Sequence, residues 1–157
     1  MLAAAAAYAL PPAPLPSEVS ATLPTAAGEA YEIFTDEAEI PRWLPIVQSA
    51  RTLVRYPDGH PRRVAFTRSL ERGSLGYTLE YTYQPSQLTV AWATPSTSNV
   101  VLSGEARFIA LSRGACLMVY RLVIDLPIVD ELIAGELERH PASAVVADFR
   151  EHVRRLC

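Results

Sequence analysis

The sequence contains no lysine; all 14 basic residues are arginine. Asn99 is the only asparagine, against abundant alanine. We read this bias as genomic base composition and give it no functional weight. An excess of basic charge is also missing. The net charge of -3 and an isoelectric point near 5.6 leave no electrostatic case for nucleic acid or an anionic membrane. Cysteine is scarce. Cys116 lies inside a strand pattern and Cys157 is the last residue, so a disulfide between them is disfavoured. That favours a reducing compartment, and a cytoplasmic setting is expected. Metal-ligand spacing is absent: His60, His140 and His152 are scattered, with no Cys-x-x-Cys. Glu136 and His140 stand one turn apart but lack a third ligand. No metal is expected and no cofactor is implied. No apolar run approaches the ~18 residues of a membrane span, so stable membrane insertion is not expected. No Ser/His/Asp arrangement, inward carboxylate pair or nucleophile elbow can be assembled, and no catalytic residue is assigned.

What is present is a chain able to build a core. Hydrophobic residues make up 50% and charged residues 20% of 157, enough for one domain of ordinary size. Residues 1–16, MLAAAAAYALPPAPLP, lack the positive start of a secretory signal. They read as an Ala/Pro-rich leader or a mis-assigned start, ahead of a single domain over 17–157. Glu18 to Leu23 alternates polar and apolar and predicts a strand. Thr25 is placed as the N-cap of a short helix carrying Ala26, Ala30, Ile33 and Phe34. Asp36 caps a second short piece, Glu37 to Ile40. Pro41, Trp43 and Pro45 then make a rigid, aromatic-anchored elbow.

From Ile46 the period is two. Strands are expected at Ile46–Tyr56, Arg62–Leu70, Leu75–Tyr83, Gln87–Ala93, Asn99–Leu111 and Ala115–Ile124. Pro57-Asp58-Gly59-His60 and Ser112-Arg113-Gly114 are among the turns. Every connection is short, so neighbouring strands are antiparallel. Ile128 to Leu156 then keeps a helix period in one phase, a length of roughly 40 Å if unbroken. Pro141 interrupts it. Because the stripe Leu137, Pro141, Val145, Phe149 keeps phase, a kinked helix is preferred to two helices with Pro141 starting the second. Ile128–Leu137 is expected to flank a cavity mouth as a gate, and Val145–Leu156 to pack on the sheet.

This order resembles the START/birch-pollen-allergen superfamily, in particular its bacterial polyketide-cyclase/dehydrase-like and coenzyme-Q-binding-like branches. The residues that carry the resemblance are Ala26 to Asp36, Ile40-Pro41-Arg42-Trp43-Leu44-Pro45-Ile46-Val47, Gly104, and the Arg113-Gly114 turn into a strand ending near Leu126-Pro127. The resemblance implies an α+β helix-grip fold. A curved, antiparallel seven-stranded sheet would wrap around a long C-terminal helix, with two short helices after the first strand. It also implies a ligand cavity between sheet and helix.

Alternation sorts each strand into two faces. Val64, Phe66 and Arg68, then Tyr77, Leu79, Tyr81 and Tyr83, share the apolar face. So do Leu88, Val90 and Trp92, and Leu102, Gly104, Ala106 and Phe108, as well as Met118, Tyr120, Leu122 and Ile124. By composition these side chains make a solid core; by the resemblance they line a cavity, with small Gly104 and Ala106 leaving room. The ligand-binding candidates are Trp43, Phe66, Arg68, Tyr77, Leu79, Tyr81, Tyr83, Trp92, Phe108, Met118, Tyr120 and Leu137. Arg68 is in the inward register near a strand end. It either snorkels to the rim, turns out at a bulge, or meets an anionic or carbonyl ligand. The leading expectation is a carrier or sensor of a small to medium hydrophobic molecule, such as a lipid, quinone or polyketide-like compound. A polyketide aromatase/cyclase or dehydratase, with Tyr81, Tyr83, Tyr120 or Arg68 as acid/base groups, is the second. A non-catalytic protein-interaction module is the third.

Overall fold

The computed structural model describes residues 17–96, 101–125 and 141–156. β1 (Ser17–Leu23) is followed by α1 (Ala27–Thr35), a 3-10 turn (Glu37–Glu39) and the one-turn helix α2 (Ile40–Trp43). Six strands follow: β2 (Val47–Arg55), β3 (Pro61–Leu70), β4 (Gly73–Gln84), β5 (Thr89–Ala93), β6 (Val101–Ser112) and β7 (Ala115–Asp125). The last described element is α3 (Ala142–Leu156).

The strands form one antiparallel sheet in the order β1-β7-β6-β5-β4-β3-β2. Consecutive hairpins build β2 through β7, and β1 adds to the far side of β7. The sheet is therefore open, with β1 and β2 at its edges. The chain crosses from one edge to the other through α1, the 3-10 turn and α2. These elements and α3 cover the concave face, giving the α+β helix-grip architecture.

Local chemistry explains most of the elements. In α1 the buried residues are Ala27, Ala30, Tyr31 and Phe34, a helix-spaced stripe. Asp36 caps the 3-10 turn, its carboxylate accepting the Ala38 N–H at 3.1 Å. Gly59 in the β2–β3 turn has φ +95°, a conformation that a side chain would strain. In α3, Val145, Val146, Phe149 and Val153 are buried against β1, β7 and α2. The Phe149 ring meets Phe34, Trp43 and Phe108 at centroid distances of 5.3, 5.0 and 6.1 Å. Burying each such side chain contributes about 1.5–3 kcal/mol.

Three expectations require correction. Thr25 does not cap α1. Ala26 holds that position, and the Thr25 hydroxyl donates instead to Glu29 Oε2 at 2.9 Å, where the acid lies in the helix's positive first turn. The Pro-rich elbow contains a helical turn, because proline is accommodated in a helix's first turn, where its missing N–H would have no partner. Leu88 is not a strand residue. It is left-handed, φ +47°, after a 3-10 turn at Pro85–Gln87, and β5 begins one residue later. At the last helix, the Pro141 carbonyl accepts from Ala144 and Val145 N–H, so α3 starts immediately after the proline. The expected segment Ile128–Leu137, the gate assigned to it, and the leader 1–16 lie outside the described residues.

Candidate ligand cavity

Between the concave face and the helices is a cavity of about 90 Å³. Phe66, Arg68, Tyr77, Leu79, Tyr81 and Trp92 contribute one part of its wall, from β3 to β5. Leu102, Tyr120, Leu122 and Ile124 contribute the part from β6 and β7. Phe34, Ile40, Trp43, Leu44, Ile46, Val47 and Val145 cover it. Apart from Arg68 and the tips of the tyrosines and tryptophans, this wall is hydrocarbon.

Cross-strand pairing sets the aromatic lining. Phe66 lies opposite Tyr77 and stacks on it at 5.5 Å and 21°. Trp92 lies between Tyr81 and Gly104 in register, and its ring is 5.6 Å from Tyr120. A Cβ built on Gly104 would fall 2.5 Å from the Trp92 indole. The expectation that Gly104 leaves room for a ligand is thus corrected, since the indole occupies that space.

Arg68 points inward and is 7% exposed. The irregularity that would have turned it out is on its neighbour. The register shifts between Val47 and Ser49 on β2, so β3 keeps its alternation and Arg68 stays in phase with Val64 and Phe66. Two phenols, Tyr77 and Tyr120, lie within reach of its charge, and a third, Tyr81, lines the same cavity beside them. Burial pushes Tyr77 and Tyr120 up from their ordinary value, and the Arg68 charge pulls both partly back. Burial raises Tyr81 far more, reinforced by Tyr77, Tyr83 and Tyr120. All three remain phenols at neutral pH and act there as hydrogen-bond donors, not bases. The Trp43 indole N–H is buried without a hydrogen-bond partner among the described residues, a further donor in the wall.

Eight of the twelve residues expected to bind ligand line this cavity: Trp43, Phe66, Arg68, Tyr77, Leu79, Tyr81, Trp92 and Tyr120. Tyr83 does not. Its hydroxyl donates to the Pro61 carbonyl at 2.7 Å, and its ring lies against His60 and Tyr56 at the hairpin base. Phe108 and Met118 also do not: Phe108 packs on Tyr31, Phe34 and Phe149, and Met118 lies opposite it in register, fully buried. Leu137 lies outside the described residues. Sequence reasoning missed the cover, Phe34, Ile40, Leu44, Ile46, Val47 and Val145. The apolar residues Ile40, Leu44 and Ile46 flanking Pro41 and Pro45 were its available signal. Among the described residues no group of three acidic, histidine or cysteine side chains is placed to hold a metal. No described helix is long and apolar enough to cross a membrane.

No protein-family model and no curated protein sequence matches the chain. Solved structures do. A START superfamily protein from Mycobacterium smegmatis superposes with a TM-score of 0.73 at 18% identity, over 90% of this chain and 99% of that one. The Zhui aromatase/cyclase of a Streptomyces species gives 0.74 at 16%, over 91% and 96%. Norcoclaurine synthase from Thalictrum flavum, solved in complex with dopamine and hydroxybenzaldehyde, gives 0.65 at 9%, over 90% and 85%. These likenesses, with the open seven-stranded sheet and C-terminal helix, show the START-like helix-grip fold that the residues resemble.

Proposed function

We propose that this protein binds a small hydrophobic molecule bearing a carbonyl or anionic group, and carries or senses it in the cytoplasm. The observation that supports this reading is Arg68, a cation 7% exposed in the wall of an otherwise apolar, aromatic cavity. A ligand oxygen facing its guanidinium would be held by a charge-assisted hydrogen bond. Tyr77, Tyr81 and Tyr120 would donate to the same end of the ligand, while Phe66, Leu79 and Trp92 would cover its apolar body. At about 90 Å³ the cavity holds roughly three waters' share of liquid volume. A drug-sized ligand needs several hundred Å³. Binding therefore requires the cover, Leu44, Ile46 and Val145, to move outward.

Both tryptophans of the chain line this cavity, so intrinsic fluorescence reports directly on its occupancy. Titration with 1-naphthoic acid and with naphthalene is expected to change that fluorescence saturably. Arg68→Met should weaken the acid by about tenfold or more, the size of a lost hydrogen bond to a charged group, and leave naphthalene nearly unchanged. No saturable response, together with no hydrophobic mass retained in native mass spectrometry, would remove the binding reading.

A second reading is favoured by the cluster of three phenols, two of them beside a guanidinium, and by the likeness to an aromatase/cyclase. Here the same donors would fold and polarise a polyketide-like chain for ring closure or dehydration. Single variants Tyr77→Phe, Tyr81→Phe, Tyr120→Phe and Arg68→Met should then alter product profiles. If all four leave the products unchanged, the enzymatic reading fails.

A further inference from the structure

On the far side of α3 from the cavity lies a groove of about 540 Å³. Arg150 and Arg154 form one wall; Thr22 and Leu23 at the end of β1, Pro24 after it, Gly114 of the β6–β7 turn and Ala115 at the start of β7 form the other. The two arginines are four residues apart and so stand on one face of the helix, about 5–6 Å apart at their Cβ atoms. No carboxylate lines the groove among the described residues. In a chain of net charge -3, this is a local inversion of sign.

Some surface arginines here are matched to acids, Arg42 to Glu39, Arg55 to Glu37 and Arg63 to Glu80. Arg150 has no ion pair among the described residues. The nearest acid on its helix, Glu151, is shared by Arg155 at 3.5 Å and, more loosely, Arg154 at 3.9 Å. Arg154 lies in the last helical turn, where the helix's negative end favours a cation. Arg150 lies a turn earlier and lacks that explanation. Opposite the arginines the wall is small or apolar, and a Cβ built on Gly114 would meet nothing within 4 Å. The Thr22 hydroxyl is exposed beside it.

We propose that this groove binds a phosphate-bearing anion, held between the guanidinium groups of Arg150 and Arg154. Two planar forks on one helix face match the oxygens of a phosphate, and Pro24 offers a contact for an attached apolar group. The site is separate from the cavity. Val145, the α3 residue that covers the cavity, is about 13 Å along the helix from Arg154. The phosphate has two sources, a free phosphate ester or a lipid headgroup, and they are distinguishable.

The full chain is titrated by NMR with inorganic phosphate and with glycerol 3-phosphate. In parallel it is co-sedimented with phosphatidylglycerol vesicles and with phosphatidylcholine vesicles. Binding should weaken as salt rises. The R150Q/R154Q variant should lose about tenfold or more in affinity, as expected for charge-assisted contacts. R42Q/R155Q, which removes the same two charges elsewhere, should lose little, and circular dichroism confirms that both variants are folded. Binding of the soluble esters without phosphatidylglycerol vesicles assigns the groove to a free phosphate ester. Binding confined to phosphatidylglycerol vesicles assigns it to a headgroup. No binding to any of the probes, or equal losses in the two double variants, overturns the proposal.

Discussion

Among the described glycines, Gly104 is the least tolerant of even a methyl group. A Cβ there would approach three atoms of the Trp92 indole at 2.5–2.6 Å, and that ring is itself buried among Tyr81, Tyr120 and Phe34. Gly104→Ala should therefore destabilise the fold by about 1–3 kcal/mol, the range for overpacking, read from urea unfolding followed by tryptophan fluorescence. Glu37 illustrates a different dependence. Burial pushes its carboxyl up, but hydrogen bonds from Arg55 Nη2 at 2.7 Å and Thr52 Oγ1 at 3.0 Å outweigh this and leave it below the ordinary 4.5. A carboxyl depressed in the folded state stabilises the fold above its unfolded value, and that contribution disappears as pH falls through the folded value. The stability difference between the protein and Glu37→Gln should thus be full at neutral pH and vanish below the ordinary carboxylate range. Its size should be about 1 kcal/mol or less, because Arg55 is half exposed. At this scale the sequence was half legible. Alternation placed Arg68 inward, but whether a bulge would undo that depended on β2. Gly104 was visibly small, yet only the cross-strand register shows which side chain occupies the space above it.

Among the elements, α3 packs its buried stripe around a single aromatic side chain. Phe149 is fully buried and closes a ring of Phe34, Trp43 and Phe108. Phe149→Ala should cost about 3–5 kcal/mol in chemical denaturation, whereas exposed Leu156→Ala on the same helix should change stability by no more than about 0.5 kcal/mol. The stripe that predicts this was legible because a helix repeats its own phase over several turns. The elbow was not. Four residues are too few to show a period, and proline is compatible both with breaking a helix and with starting one. The same limit applied at Leu88, where an apolar residue in strand phase adopts a left-handed turn.

For the whole molecule, short hairpin connections were sufficient to order β2 through β7, since each strand can only meet the next one antiparallel. They say nothing about β1, which has no hairpin partner; its place beside β7 is visible only in the structure. The cavity was legible as a face but not as a volume. A void is the difference between what the sheet encloses and what the helices fill, and no single segment encodes it. The pairing of β1 with β7 also has a consequence for how the protein is made. Leu23 meets Cys116 across about ninety residues of intervening chain, a long loop to close before any contact repays its entropy. β1 must therefore wait, without its sheet neighbour, until β7 has been made. A chain ending at Ser112 would present β6 without its neighbour and β1 with none. Such a fragment should be found in the insoluble fraction on expression, while a chain ending at Leu156 stays soluble. Synthesis rate and chaperone supply at that stage, more than final stability, would then set the yield of folded protein.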